Sequence, residues 1–110
     1  MLNQIVLVGR IVSDFQVEEK NGMKIAKNQL AIPRSFKNKD GVYETDFIPF
    51  TLLNNIAKNT VEYCAKGDLI GIKGRLSSYK NNIQVEVEKL TFLSTKKEKT
   101  VNDEEIDKNI

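Results

Sequence analysis

Apolar and polar residues alternate along most of this chain with the two-residue period of a β-strand. Five segments show this alternation, and they cover residues 4–12, 23–32, 45–53, 68–79 and 83–93. Gly9 interrupts the first segment, which predicts a bulge or a sharp bend there. The apolar positions of the last segment change parity near Lys89, which predicts a second bulge. Pro49 cannot donate a hydrogen bond to a neighbouring strand, so we expect it at a sheet edge or at a bulge.

Residues 54–65 have the spacing of an amphipathic helix instead. The side chains predicted to share its buried side are Ile56, Ala57, Thr60, Val61 and Cys64. Asn54 or Asn55 can cap the start of this helix, and we expect it to end near Ala65. Gly67 stands where a left-handed residue commonly follows a helix.

Short polar stretches separate the predicted strands. Asn21-Gly22 is a strong hairpin signal, and Asp14 and residues 18–22 are predicted to form a connection and a turn. Pro33 is predicted to end the second strand, before a basic polar loop over residues 35–44. Lys80-Asn81-Asn82 is predicted to be a tight turn.

The order of these elements predicts the fold. Three strands, a helix and two strands follow one another as in the OB-fold, an all-β, five-stranded Greek-key barrel with one helix between its third and fourth strands. We expect this domain to cover residues 1–94, because the apolar periodicity stops at Ser94. Residues 95–110 are predicted to be a flexible acidic C-terminal tail.

The charge is unevenly distributed along the 110 residues. The whole chain has 17 basic and 15 acidic residues and a formal net charge of +2. Residues 100–110 contain Lys108 as their one basic residue, against four acidic ones, so the remaining body has a charge of about +5. A basic body with an acidic tail is typical of proteins that bind polyanions.

Several functional classes lack their chemistry in this sequence. There is no histidine, no phosphate-binding glycine loop before a helix and no zinc-ligand spacing, so we expect no enzyme, no metal and no cofactor. Cys64 is the one cysteine, which rules out an internal disulfide, and its place in the helix pattern predicts a buried side chain. No apolar run approaches the ~20 residues of a membrane span. We therefore expect a soluble cytoplasmic protein.

Aromatic and basic residues are predicted on surfaces that face away from the core. Phe47 lies on the opposite side of its strand from Ile48, Phe50 and Leu52, while Lys73, Arg75 and Tyr79 share the non-core face of the fourth strand. The predicted loop adds Phe36 and Tyr43 together with Arg34, Lys37 and Lys39. Nucleic-acid bases stack on such rings for about 1–3 kcal/mol each, and Lys or Arg bind the phosphates. The alternative for each aromatic side chain is packing in the core or between subunits. We predict that Phe50 and Phe92 lie in the core and that Tyr63 packs as part of the helix.

Several of these segments resemble one family in order and spacing over about residues 1–93. They are residues 1–10, Leu30-Ala31-Ile32 with Phe36-Lys37, Thr45-Asp46-Phe47-Ile48, residues 57–63, and Lys66-Gly67-Asp68-Leu69 through Gly74-Arg75-Leu76. They are similar to the bacterial single-stranded DNA-binding protein family. The resemblance implies an OB-fold that wraps single-stranded DNA without sequence preference, without catalysis, in replication, recombination, repair or DNA transfer. It also implies a homotetramer or homodimer, base stacking by Phe36 and Phe47, and phosphate contacts from Arg10, Lys73 and Arg75.

The sequence also departs from the family pattern. A further stacking aromatic of the family aligns with Leu53, Tyr79 matches another only approximately, and Asn28 replaces a residue that is usually apolar. The long linker of the family is missing, and Asp103 to Ile110 only partly match the acidic tip that recruits replication and repair proteins. The short length and the Lys, Asn and Ile bias indicate a divergent member of the kind encoded by mobile elements.

Two other functions remain open from the sequence. An OB-fold protein-interaction module of a primosome or conjugation system would fit Leu53, the small net charge and the altered tip. An RNA-binding cold-shock-like barrel would fit the aromatic and basic face, but such barrels lack the helix predicted over residues 54–65. The leading hypothesis is single-stranded DNA binding through stacking on Phe36, Phe47 and Tyr79, with phosphate contacts from Arg10, Arg34, Lys37, Lys73 and Arg75.

Overall fold

The structure is a computed structural model that describes residues 1–95, and within them it contains six strands and one helix. In chain order the elements are β1 (Ile5–Ile11), β2 (Gln16–Lys20), β3 (Met23–Lys37), β4 (Tyr43–Leu53), α1 (Asn54–Tyr63), β5 (Leu69–Tyr79) and β6 (Asn82–Ser94). Helix α1 has ten residues, so within this part of the chain no helix is long and apolar enough to cross a membrane. The predicted tail lies outside the described residues except for Thr95, and the domain boundary at residue 94 stays a prediction.

The sheet closes into a five-stranded barrel. The hydrogen-bonded order is β1-β5-β6-β4-β3-β2, and an additional pairing of β1 with β3 closes the ring. β1 and β2 lie one after the other along the same edge of β3, where Ile11 pairs with Leu30 and Gln16 pairs with Lys27. The predicted OB-fold is therefore confirmed, with α1 between the third and fourth barrel strands. The prediction of a connection through residues 18–20 was wrong, because they pair with β3 as strand β2.

Two glycines lie where backbones approach too closely for a side chain. A Cβ on Gly9 would lie 2.6 Å from the Ala31 carbonyl oxygen, at the point where β1 leaves β5 and begins to pair with β3. A Cβ on Gly74 would overlap the backbone of Glu86. The register of β5 and β6 shifts beside Gly74 and leaves Glu88 without a partner in the ladder, which confirms the bulge predicted near Lys89.

The core consists of apolar side chains from all five barrel strands, whereas Leu76 and Ile83, which alternation places on the same faces of β5 and β6, are 44% and 65% exposed. Its largest fully buried members are Ile11, Leu30, Phe50, Leu52, Ile70, Ile72 and Val85. Asn28 also points inward and is 8% exposed. Its Nδ2 donates to the Ser13 carbonyl oxygen at 2.8 Å, and its Oδ1 accepts from the Gln29 backbone N–H at 2.7 Å. The amide thus replaces an apolar side chain by holding the turn between β1 and β2, and its burial costs little because it is hydrogen-bonded.

The predicted ends of the helix were wrong. Leu53 occupies the N-cap position without a side-chain cap, so neither of the two following asparagines performs that role. The helix ends at Tyr63, and Gly67 lies beyond it with a φ of +93°. Gly67 belongs to a turn that leads into β5, in which the Asp68 backbone N–H donates to the Ala65 carbonyl oxygen at 3.1 Å. The left-handed residue was read correctly, but it serves the turn rather than the helix.

Two aromatic side chains predicted to be packed are exposed. Phe92 is 44% exposed, although its partner in the ladder, Ile70, is fully buried. Tyr63 is 75% exposed and is the last residue of α1. The buried residues of this helix, Ala57 and Thr60, lie earlier in it. Pro49 pairs with β3, and β6 joins β4 only at Phe50 and Thr51, which agrees with the predicted edge position.

Candidate nucleic-acid interface

The side of β4 that faces away from the core is the centre of the candidate interface, and we call it the outer row. The outer row consists of Phe47, Pro49, Thr51 and Leu53. Phe47 pairs with Ala31 of β3. The small Ala31 side chain leaves the Phe47 ring 56% exposed. An exposed planar ring on a rigid strand is a surface on which a nucleic-acid base can stack.

The hairpin of β3 and β4 extends beyond the barrel and carries Phe36 and Lys37. The prediction that Pro33 ends the strand was wrong, because β3 continues to Lys37 and pairs there with Tyr43. At Pro33 the described pairing partner is β4 alone, so the missing N–H leaves no gap in a ladder on the other side. Phe36 is 65% exposed, and the Lys37 Nζ lies 5.7 Å from the centre of the Tyr43 ring. The end of this arm therefore carries the exposed Phe36 ring and the cation-π pair of Lys37 and Tyr43.

Arg34 lies in the same arm but is held by carboxylates. Its Nη2 donates to Asp46 Oδ1 at 2.8 Å, its Nε lies 3.2 Å from both Asp46 oxygens, and its Nη1 lies 3.3 Å from Glu44 Oε1. The hydrogen bonds from Arg34 hold the pKa of the Asp46 carboxyl below its ordinary value, and the same bonds raise the pKa of Arg34. A phosphate that binds Arg34 would have to displace these carboxylates. The sequence pattern did not predict these ion pairs.

Arg10 and Arg75 are also engaged within the fold. Arg75 Nη2 donates to Glu86 Oε2 at 3.1 Å, between directly paired positions of β5 and β6. Arg10 Nη1 donates to the Gly67 carbonyl oxygen at 2.9 Å, which ties β1 to the turn before β5. Both guanidinium groups retain other N–H donors, so each can contact a phosphate while keeping this bond.

Lys73 differs from the three arginines because its side chain forms neither an ion pair nor a hydrogen bond within residues 1–95. It lies directly opposite Lys89 on β6, and both side chains are exposed. Like charges at facing positions repel each other, and an anion bound between them would relieve that repulsion. Lys89 was missed in the sequence because the local pattern of β6 does not show that it pairs with Lys73.

Tyr79 ends β5 beside the turn predicted at Lys80-Asn81-Asn82, of which Asn82 already belongs to β6 and pairs with Tyr79. Lys80 and Asn81 have φ values of +49° and +68°, the left-handed pair that a tight hairpin turn requires. The Tyr79 ring is 55% exposed, and the Lys80 Nζ lies 5.4 Å from its centre. Tyr79 thus combines a ring and a cation, as Tyr43 does with Lys37 in the other arm.

The β2–β3 and β5–β6 hairpins enclose a groove at the Leu53 end of the outer row, which we call the Leu53 groove. It has a volume of about 230 Å³, and its lining includes Ile25, Lys27, Thr51, Leu53, Tyr79 and Gln84. The Thr51 hydroxyl donates to Gln84 Oε1 at 2.9 Å. Of these residues the sequence analysis singled out Leu53 and Tyr79 alone, because the others converge through the parallel pairing of β4 with β6.

The described residues offer little for other chemistry. Residues 1–95 contain no group of three or more side chains that could hold a metal ion. Cys64 is buried, and its burial, together with the nearby Asp68 charge, raises the pKa of its thiol. A buried thiol that stays protonated is a core side chain rather than a nucleophile.

Comparison with known proteins gives one consistent result. Residues 2–100 match the family described as the single-strand binding protein family. Single-stranded DNA-binding protein B of Bacillus subtilis is 42% identical over 90 residues, which cover 79% of this chain and 80% of that protein. A single-stranded DNA-binding protein of Staphylococcus epidermidis is 32% identical over 119 aligned residues, covering 99% of this chain and 91% of its own length.

Other relatives are longer than this chain. A single-stranded DNA-binding protein of Halalkalibacterium halodurans is 41% identical over 85 residues, which cover 74% of this chain but 51% of that protein. The match to the family extends through the barrel, the arm that carries Phe36 and the strand that carries Phe47. This chain therefore belongs to the single-strand binding protein family.

Proposed function

We propose that this protein binds single-stranded DNA without catalysis, by stacking bases on Phe36, Phe47 and Tyr79. The observation that carries the proposal is the exposed Phe47 ring on the outer row of a chain that belongs to the single-strand binding protein family. The named relatives are single-stranded DNA-binding proteins. A solvent-exposed ring on a barrel strand has no use in packing this protomer and matches the stacking mode of single-strand binding.

Phosphate binding is proposed for the basic residues in two groups. Lys37 and Lys73 form no ion pair within the described part of the chain, and they are available to an incoming strand. Arg10 and Arg75 use N–H donors that their bonds to Gly67 and Glu86 leave over, and Arg34 contributes a phosphate contact only to the extent that the strand displaces Asp46. Binding is therefore expected to weaken as the salt concentration rises, because phosphate contacts release counterions from the strand.

We further propose that the protein acts in the cytoplasm as a homodimer or homotetramer, in replication, recombination, repair or DNA transfer. An apolar patch supports self-association: Val6 is 68% exposed, Val8 52% and Leu93 47%, and the last two flank Gly71. Such a patch on the outside of β1, β5 and β6 is the kind of surface that a second subunit covers. Recruitment of replication or repair proteins through residues 95–110 is a proposal from sequence alone.

The proposal is tested by fluorescence anisotropy with a labelled oligo-dT, its RNA counterpart and a duplex of the same length. We expect tight binding of the single DNA strand at low salt, weakening with salt, and much weaker binding of the duplex. Absence of single-strand binding at low salt would refute the proposal. In that case a pull-down that captures specific proteins would favour the protein-interaction module, while a clear preference for RNA would favour an RNA-binding barrel.

A further inference from the structure

We propose that the facing lysines Lys73 and Lys89 hold two subunits apart until phosphate groups neutralise them, so that phosphate binding promotes self-association. This inference rests on the proposed self-association and adds the charge that controls it. The two lysines share one face of the barrel with the apolar patch of Val6, Val8 and Leu93.

The register of the strands places the lysines beside the apolar patch. Val6 of β1 pairs with Lys73 of β5, and Lys73 pairs with Lys89 of β6, so the three side chains form one row across the sheet. Gly71 lies two residues from Lys73, which is about 7 Å along the strand. A Cβ on Gly71 would lie 3.8 Å from the Val8 side chain, so Gly71 and Val8 belong to the neighbouring row of the same face. A second subunit that covers the patch therefore also meets the two lysines.

The charge of the two lysines is not balanced within the described part of the chain. Both side chains are exposed, and neither forms an ion pair or a hydrogen bond within residues 1–95. Glu86, on the same face of β6, is held by Arg75 at 3.1 Å. Glu88, the residue before Lys89, forms no ion pair with either lysine. The face thus presents positive charge directly beside exposed apolar side chains.

Pairing of two copies through this face brings like charges together. A two-fold interface uses the same surface on both subunits, so the lysines of both copies border one apolar contact. They lie within about 7 Å of the patch, which is less than the ~8 Å over which physiological salt screens exposed charges. Their repulsion therefore opposes the pairing that the apolar side chains favour, and it weakens as the salt concentration rises.

A phosphate group has the chemistry to relieve this repulsion. Its oxygens accept hydrogen bonds from two ammonium groups at once, and each ammonium group has three N–H donors and no acceptor. A bound DNA strand supplies the same group at every nucleotide. A phosphate that binds the paired subunits more tightly than the single subunit shifts the protein towards pairs, because binding and association are linked.

The test is sedimentation velocity of the full-length protein over a range of protein and sodium chloride concentrations, in the absence of DNA. Self-association is expected to strengthen as the salt concentration rises, whereas DNA binding weakens with salt. Sodium phosphate is expected to act more strongly than sodium chloride at the same ionic strength, because it bridges the lysines. A short oligo-dT at low salt is expected to do the same. An effect of inorganic phosphate without one of oligo-dT would support the site and identify the free ion as its ligand.

Four variants assign the effect to residues. Lys73→Gln and Lys89→Gln are each expected to strengthen self-association by about two- to fivefold at low salt, since each removes one like charge from both copies. Both variants should also lose the response to phosphate. Lys58→Gln removes an exposed lysine from α1 and should respond as the unaltered protein does. Val6→Ser removes an exposed apolar side chain of the patch and should weaken self-association at every salt concentration.

The outcomes separate this inference from the proposed function. If self-association is the same at all salt and phosphate concentrations, or weakens with salt, the inference is wrong and the proposed self-association stands. Equal effects of phosphate and chloride at one ionic strength would also contradict a bound phosphate. If the protein is monomeric under all conditions, both the inference and the proposed self-association are wrong, while single-strand binding is decided by anisotropy. Circular dichroism of each variant checks that the barrel is folded.

Discussion

The two ends of the outer row of β4 belong to the same strand and yet form different surfaces. At Phe47 the paired neighbour is Ala31 of β3, and the ring stands open to solvent. At Leu53 the two flanking hairpins enclose the strand in a groove, and the Thr51 hydroxyl donates to Gln84 there. The difference shows that alternation along one strand decides which side chains face outward, while the neighbouring strands decide whether that face is a platform or a groove.

The largest effect is expected from removing the platform. Phe47→Ala should weaken binding of oligo-dT by roughly 5- to 150-fold, because one stacked base contributes about 1–3 kcal/mol. Anisotropy titration at a fixed salt concentration measures the change. The matched control is Tyr63→Ala, which removes an even more exposed ring from α1, away from the outer row, and should leave the Kd unchanged. Equal losses of affinity in both variants would show that the substitutions weaken binding by destabilising the fold and not by removing a ring on which a base stacks.

The second prediction turns the groove into a platform. Leu53→Phe should tighten binding of all oligonucleotides by about fivefold, the lower end of base stacking, because the ring fills the groove instead of standing free. Anisotropy titration under the conditions used for Phe47→Ala measures the change. Unchanged or weaker binding by a folded variant would show that the strand does not pass over Leu53.

The outward direction of Phe47 could be predicted from sequence because it depends on local geometry alone. In a strand, successive side chains point to opposite faces, so burial of Phe50 and Leu52 places Phe47 outside. The five barrel strands and the helix could be predicted for the same reason. The sign of the β6 bulge was also local, because the apolar positions shift parity within an otherwise regular alternation.

Features that depend on register between distant segments could not be predicted. The bonds between Arg34 and Asp46 require a hairpin whose register shifts between Pro33 and Lys37. The contact between Thr51 and Gln84 spans 33 residues and exists because β4 and β6 meet in parallel. Local pattern contains no information on either pairing. The exposure of Phe92 also escaped prediction, because alternation places it on the same face as its buried partner Ile70 and does not show how completely that face is covered.

The third prediction concerns electrostatics, and it sharpens the contrast between open and engaged groups on the interface. Asp46→Asn should release Arg34 and make log Kd depend more steeply on log salt, by about 0.7 for one additional phosphate contact on a single strand. Titrations at several salt concentrations measure the slope. Asp40→Asn changes the net charge equally, but Asp40 forms no ion pair within residues 1–95, so its slope should stay that of the unaltered protein. Identical slopes in the two variants would show that Arg34 does not reach the strand.

The smallest effect is expected on the stability of the protein without DNA, and it has a defined pH window. The bonds from Arg34 hold the pKa of Asp46 below its ordinary value, so the folded state binds this proton less readily than the unfolded state. The pair therefore stabilises the fold above the unfolded pKa of about 3.9, and this contribution is lost as the pH falls through the lower folded value. Thermal unfolding should show the unaltered protein to be more stable than Asp46→Asn at neutral pH, with the difference shrinking towards zero in acid. The side chains are exposed and screened by solvent, so the difference is small even at neutral pH. A difference in stability that stays constant down to acidic pH would mean that Asp46 stabilises the arm through its packing and not through its charge. The charge of Asp46 would then serve mainly to hold Arg34 until a phosphate displaces it.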